Sequence, residues 1–128
     1  MRLLLDTHAF LWFILDDPQL SSTARRLIED PENEVEVSPA SYWEIAIKIK
    51  LEKYALPGAY RDFMESQLAA NDFHILPIEP RHTALLCTMP LHHKDPFDRL
   101  IVAQAFEECV PVVSVDSKLD AYGVQRLW

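Results

Sequence analysis

At 128 residues, with 49% hydrophobic and 25% charged side chains, the chain has the composition of an ordinary folded domain, which excludes a disordered or repetitive protein. Twenty acidic residues against twelve basic ones give a formal net charge of −8, which excludes a general electrostatic grip on nucleic acid. Chemistry on nucleic acid would need cations at the site or a local basic patch.

The length suits one domain, residues 1–128, burying about two thirds of the surface that its unfolded form exposes. The run Arg2 to Leu5 is a short apolar strand ending in Asp6-Thr7, too short for a signal peptide or a membrane span, so a cytoplasmic protein is expected. His8 to Leu15 has the length and bulk of a helix, stopped by Asp16-Asp17-Pro18. Ser21 or Ser22 can cap a second helix, Thr23 to Glu29, and Val35 and Val37 mark a second strand. Ser38-Pro39 opens a longer helix running to about Glu52, with Ser38 as cap and Pro39 at the first helical position. Beyond Leu56-Pro57-Gly58, the spacing of Tyr60, Phe63, Met64 and Leu68 predicts a fourth helix, ended by Asn71-Asp72.

Phe73 to Leu76 is a third strand, followed by a short helix from Arg81 to Thr88. The run from Asp95 to Ala105 then writes a helix start and two carboxylates into four residues: Asp95 caps, Pro96 suits the first position, and Asp98 falls where a negative charge meets unpaired backbone N–H groups. Its continuation is apolar on nearly every face, which predicts a helix through the core. Val110 to Val115 is a fourth strand ending in Asp116, and a brief helix near Lys118 to Tyr122 leads to a last strand, Val124 to Leu127. Cys87 and Cys109 lack metal-ligand spacing and are expected to be reduced, buried thiols.

Short strands alternating with helices predict an α/β domain with a mostly parallel sheet and right-handed crossovers. In such sheets ligands bind beyond the carboxyl ends of the strands, where strand order reverses. Asp6, Asp98 and Asp116 all fall on that edge, and Glu44, in the second turn after Ser38, joins them; Glu44 also has a helical ion-pair partner in Lys48. Carboxylates gathered in a partly buried site repel unless protons or cations intervene. Oxygen ligands without a matched Cys or His set favour Mg²⁺ or Mn²⁺ over Zn²⁺, the donor set of metal-assisted phosphodiester hydrolysis.

These residues resemble a known family. Leu4-Leu5-Asp6-Thr7-His8, Ser41-Tyr-Trp-Glu44-Ile, His93-Lys-Asp95-Pro-Phe-Asp98-Arg and Val113-Ser-Val-Asp116 are similar, in order, to the four acidic motifs of the PIN domain, and most of all to the VapC-like ribonuclease toxins of type II toxin–antitoxin modules. The resemblance spans essentially the whole chain. It implies a three-layer fold with a central five-stranded parallel sheet flanked by helices, an Mg²⁺- or Mn²⁺-dependent endoribonuclease, a homodimer, and a cognate antitoxin. It also implies metal binding by Asp6, Glu44, Asp98 and Asp116, and hydroxyls near the site from Thr7 and Ser114. Asp95 matches an acid of the motif but reads as a cap, and Asp120 reads as a solvated acid.

His8 is placed to touch substrate or to satisfy a polar position on the first helix. Arg99, with Lys48, Lys50, Lys53 and Lys94, could form a basic rim for phosphates, although solvated helix faces explain most of these lysines equally well, and His92 and His93 read as loop residues. Trp12, Phe13, Tyr42 and Trp43 offer more aromatic surface than a small core needs, so either some of it lines an interface or, at least as readily, all of it packs in the core. Two other readings compete. Asp6 could be the nucleophile of an aspartyl-phosphate phosphatase, although His8 stands where that chemistry wants an acid. Alternatively, the acids could form a non-catalytic pocket for a basic peptide or antitoxin segment.

Overall fold

Three leucines make the central strand. In the computed structural model, which describes residues 1–128, Arg2–Leu5 form β1, and the two-residue alternation of a strand divides their side chains between two cores. Leu3 and Leu5 point to one face of the sheet, where they meet Phe10, Ile14, Ile28, Val35, Val37 and Met64. Leu4 points to the other, against Ile101, Val102, Ala105, Val112 and Leu119. An all-apolar strand buried on both faces is the signature of a parallel sheet covered on each side by helices.

The remaining elements follow in chain order: α1 (Thr7–Ile14), α2 (Ser22–Glu29), β2 (Glu34–Val37), α3 (Pro39–Lys50), α4 (Tyr60–Ala70), β3 (His74–Ile75), α5 (Pro80–Leu86), α6 (Pro96–Glu108), β4 (Val112–Val113), a 3₁₀ helix (Ser117–Tyr122) and β5 (Arg126–Leu127). The sheet has five strands in the order β3-β2-β1-β4-β5, all parallel. Strand order therefore reverses between β1 and β4. Leu5 is in register with Val37 on one side and Val113 on the other, so Asp6, Ser38 and Ser114 leave the sheet at one level.

Several helix starts follow the expected caps. Ser21 and Ser38 accept N–H bonds from Ala24 and Ala40, and Asp95 accepts two, from Phe97 at 2.8 Å and Asp98 at 3.2 Å. The first helix begins earlier than expected, at Thr7, because Asp6 is itself the cap and its Oδ1 accepts the Ala9 N–H at 2.8 Å. Helix α6 runs through the core from Ile101 to Ala105, five consecutive buried residues, but surfaces at Phe106. The last three strands are shorter than predicted, two residues each, because β3 and β5 lie at the sheet edges and β4 is held on one side by β5. No helix is long and apolar enough to cross a membrane.

The cysteines depart from expectation. Both are free, but both are exposed rather than buried. Cys87 caps the end of the short α5, and Cys109 occupies the left-handed position that ends α6 (φ 56°, ψ 43°), where the side chain leaves the packed face. A non-glycine residue is strained there, so Cys109→Gly is expected to raise stability by up to about 1 kcal/mol, read as a higher urea midpoint at unchanged m-value. A lower midpoint would mean that the Cys109 side chain contributes packing that outweighs the strain.

Candidate active site

The carboxyl edge of the sheet gathers acids because three backbone segments leave it through acidic caps or first turns. Asp6 follows β1, Asp116 follows β4 and caps the 3₁₀ helix, and Asp98 sits in the first turn of α6. Helix α3 packs against both α1 and α6, and its Glu44 lies near enough to Asp98 to add to the repulsion there. Thr7, buried, donates its hydroxyl hydrogen bond to Ser41 Oγ at 3.3 Å and ties α1 to α3 at this level.

Two of the acids are almost wholly buried, Asp6 at 4% exposure and Glu44 at 2%. One oxygen of each is already engaged. Asp6 Oδ1 takes the Ala9 N–H, and Glu44 Oε2 takes Lys48 Nζ at 2.6 Å, so the ion pair foreseen for Glu44 coexists with its place among the acids. Glu44 Oε1 is buried without a hydrogen-bond partner. A buried carboxylate oxygen with nothing to accept is costly unless something electropositive meets it.

Asp98 carries the clearest electrostatic signature. Burial, then the charges of Asp95 and Asp6, and further Glu44, push its carboxyl up to about 7, with His93 opposing. Burial likewise raises Asp6, with the Ser114 hydroxyl and the Ala9 N–H working against it, and Asp116 adding repulsion. Asp116 behaves differently. Although burial works against ionisation, the Lys118 N–H and His93 hold this carboxyl below the usual range. Ser114 supports the turn by accepting the Asp116 N–H at 3.0 Å.

Sequence reasoning set His93 aside, and the structure places it in the site. Its Nε2 lies 2.9 Å from Asp116 Oδ2 and 3.3 Å from Asp98 Oδ2. The loop that carries it is pinned by the buried Tyr122, whose hydroxyl accepts the His93 N–H at 2.8 Å. Other side chains point elsewhere. Arg99 turns inward and donates to the Met89 carbonyl at 3.0 Å, which braces the loop instead of lining a phosphate path. Asp120 pairs with Arg126 at 2.9 Å. His8 is exposed, with Nε2 3.3 Å from the Tyr54 hydroxyl, so the acid/base position of a phosphatase is not supplied there. Beside the acids, His92, His93, Lys94, Asp95 and Lys118 line a hollow of ≈ 310 Å³ that contains no hydrophobic residue. Trp12, Phe13 and Tyr42 pack partly buried on the core, whereas Trp43 stays 60% exposed, edge-on to Phe97.

The family model of the PIN domain matches residues 3–125. The chain belongs to the PIN domain family. A relative of this PIN domain, Ribonuclease VapC22 from Mycobacterium tuberculosis (strain ATCC 25618 / H37Rv), is 29% identical over 120 residues, covering 93% of this chain and 90% of that protein. Among solved structures, VapBC2 from Rickettsia felis bound to a DNA fragment from their promoter superposes with a TM-score of 0.73 at 14% identity, over 99% of this chain and 98% of that one. FitAcB from Neisseria gonorrhoeae superposes with a TM-score of 0.67 at 20% identity, over 98% and 96%. At these identities the structural likeness speaks for the fold, a PIN-type parallel sheet between helical layers.

Proposed function

We propose that this PIN domain, read as one unit over residues 1–128, is a metal-dependent endoribonuclease acting as the toxin of a type II toxin–antitoxin pair. The observation that carries the reading is Glu44 Oε1, a buried carboxylate oxygen without a partner, in a site where burial, and then the neighbouring acids, push the Asp98 carboxyl up to about 7. Such a group fits a divalent cation, and an oxygen donor set fits Mg²⁺ or Mn²⁺. Asp6, Glu44, Asp98 and Asp116 would hold it. When bound, it supplies Lewis-acid stabilisation of charge developing on the phosphodiester and a more acidic attacking water. The likeness to Ribonuclease VapC22 supports RNA as the substrate, and the VapBC neighbour supports an antitoxin partner. A cytoplasmic homodimer completes the reading.

The chain's own residues would do the rest. Thr7 and Ser114 offer hydroxyls at the level of Asp6, and Asp95 fixes the helix start that aims Asp98. The hollow bearing His92, Lys94 and Lys118 offers the cationic path that the −8 charge denies elsewhere. Replacing Lys94 and Lys118 together by alanine is expected to raise KM several-fold at nearly constant kcat, and to flatten the salt dependence of RNA binding by about 0.7 per lysine in log–log slope. An unchanged slope would place the RNA backbone elsewhere.

The deciding experiment incubates the protein and its Asp6→Asn variant with mixed RNA, with and without Mg²⁺ or Mn²⁺, and maps the ends. Metal-dependent cleavage by the parent alone, leaving 5′-phosphates, is expected. Equal behaviour of parent and variant would sink the nuclease and turn the search to a basic peptide occupying the acids.

A further inference from the structure

His93 stands within reach of two acids that the proposed function assigns to a metal, and its ring could serve there as a fifth ligand or as something else. Its other nitrogen decides. Nδ1 accepts the backbone N–H of Asp95 at 3.1 Å, so Nδ1 is the unprotonated nitrogen and the ring proton sits on Nε2. Nε2–H then donates to Asp116 Oδ2 at 2.9 Å and lies 3.3 Å from Asp98 Oδ2. A histidine that ligates a metal shows the opposite arrangement, with a bare nitrogen on the ion and the second nitrogen donating its N–H to an acceptor. For Nε2 to turn its lone pair to a cation, the proton would have to move to Nδ1, directly against the Asp95 N–H.

The Asp95 N–H is itself fixed, because Asp95 caps α6 through Phe97 and Asp98. The His93 N–H is fixed too, by the hydroxyl of buried Tyr122. The backbone of His93 and its ring Nδ1 are thus held by groups other than Asp98 and Asp116, and the side chain is only 14% exposed. Since Asp116 stands on a turn beyond β4 and Asp98 on α6, the ring joins the two elements that face each other across the site.

We propose that His93 is a positioning residue: with its proton held on Nε2 by the Asp95 backbone, it fixes the Asp116 and Asp98 carboxylates and stays outside the ligand set when a divalent cation binds. This rests on the metal-site reading above and deepens it, since it keeps the donor set all oxygen despite an imidazole in reach.

Nitrogen-15 labelling of the histidines in the full chain tests it, because ring correlation spectra show which nitrogen carries the proton, and His93→Gln identifies the signals. An Nε2-protonated ring is expected without divalent ions and again at saturating Mg²⁺. A ring protonated on Nδ1 in either condition, or on both nitrogens, overturns the proposal. Mn²⁺ affinity supplies a second reading: His93→Ala is expected to bind roughly 10- to 100-fold more weakly, while His93→Gln, whose amide N–H stands near the Nε2 position, recovers most of the loss. An alanine variant that binds as tightly as the parent overturns the positioning role. Should the parent bind no Mn²⁺ at all, the nuclease reading falls by itself, together with the ligand-set half of this proposal, and the metal-free spectrum still decides the tether.

Discussion

Asp98→Asn is expected to lower RNA cleavage by roughly 10³-fold, about 4 kcal/mol of transition-state stabilisation, while the metal-free variant unfolds at a higher temperature than the parent. The two effects have one origin. Asp98 is partly stripped of water by burial and is further crowded by the charges of Asp95, Asp6 and Glu44. Its charge is destabilising to the fold and useful only to a cation. Asparagine keeps the shape, leaves the Asp95 cap of α6 untouched, and removes the charge. Single-turnover cleavage gives the first effect and thermal unfolding in a chelator gives the second. A variant that loses activity and also loses stability would mean that the Asp98 carboxylate is a structural acceptor, and the metal assignment would lose its strongest support.

The metal-free protein is expected to become more stable as the pH falls from about 8 to about 5, by roughly 3 kcal/mol. The unfolded Asp98 releases its proton near 3.8 and the folded one near 7. Above 7 both forms are ionised and the full repulsion is present; between the two values only the folded chain holds the proton, so stability grows as pH drops, and below the lower value the gain stops. Asp6, also raised by burial, works in the same direction. Asp116 and Glu108 are held below their ordinary values, and their contributions are lost at still lower pH, which sets an acid limit to the trend. Saturating Mg²⁺ takes the place of the proton and should flatten the profile, with a proton released on binding below pH 7. Urea midpoints across this range, with chelator and with Mg²⁺, make the comparison. A metal-free protein most stable at about pH 8 would contradict the crowding of Asp98.

Much of this architecture was legible because local chemistry and topology agree. Ser38-Pro39 and Asp95-Pro96 each announce a helix start in two residues, and the apolar run Leu3 to Leu5 can only be a strand buried on both faces. Once the strands are parallel, the acids that follow them must share an edge. What stayed illegible depends on paths through space. The loop before α6 was readable as a loop, but its pinning to Tyr122 spans 29 positions, and without it nothing says that His93 faces Asp116. One signal was within reach: a histidine two residues before a helix cap can accept the N–H of the cap residue, as His93 does from Asp95. Arg99 was legible as a cation but not as a brace for Met89, since its partner lies on that same loop. The cysteines were misplaced because apolar neighbours in sequence describe the faces of a helix and not its ends, where both residues sit.

Asp6, Asp95 and Asp116 each cap a helix with one oxygen, and asparagine caps about as well as aspartate. In the genetic code a single transition converts one into the other. If the proposed activity is right, a lineage carrying this chain can therefore silence it in one mutational step at codon 6 or 116 without first passing through an unfolded, degraded protein. The silenced chain would still present its surface to an antitoxin and titrate it away from active copies. Where folding and chemistry share an acid in this way, inheritance has a short route from toxin to decoy.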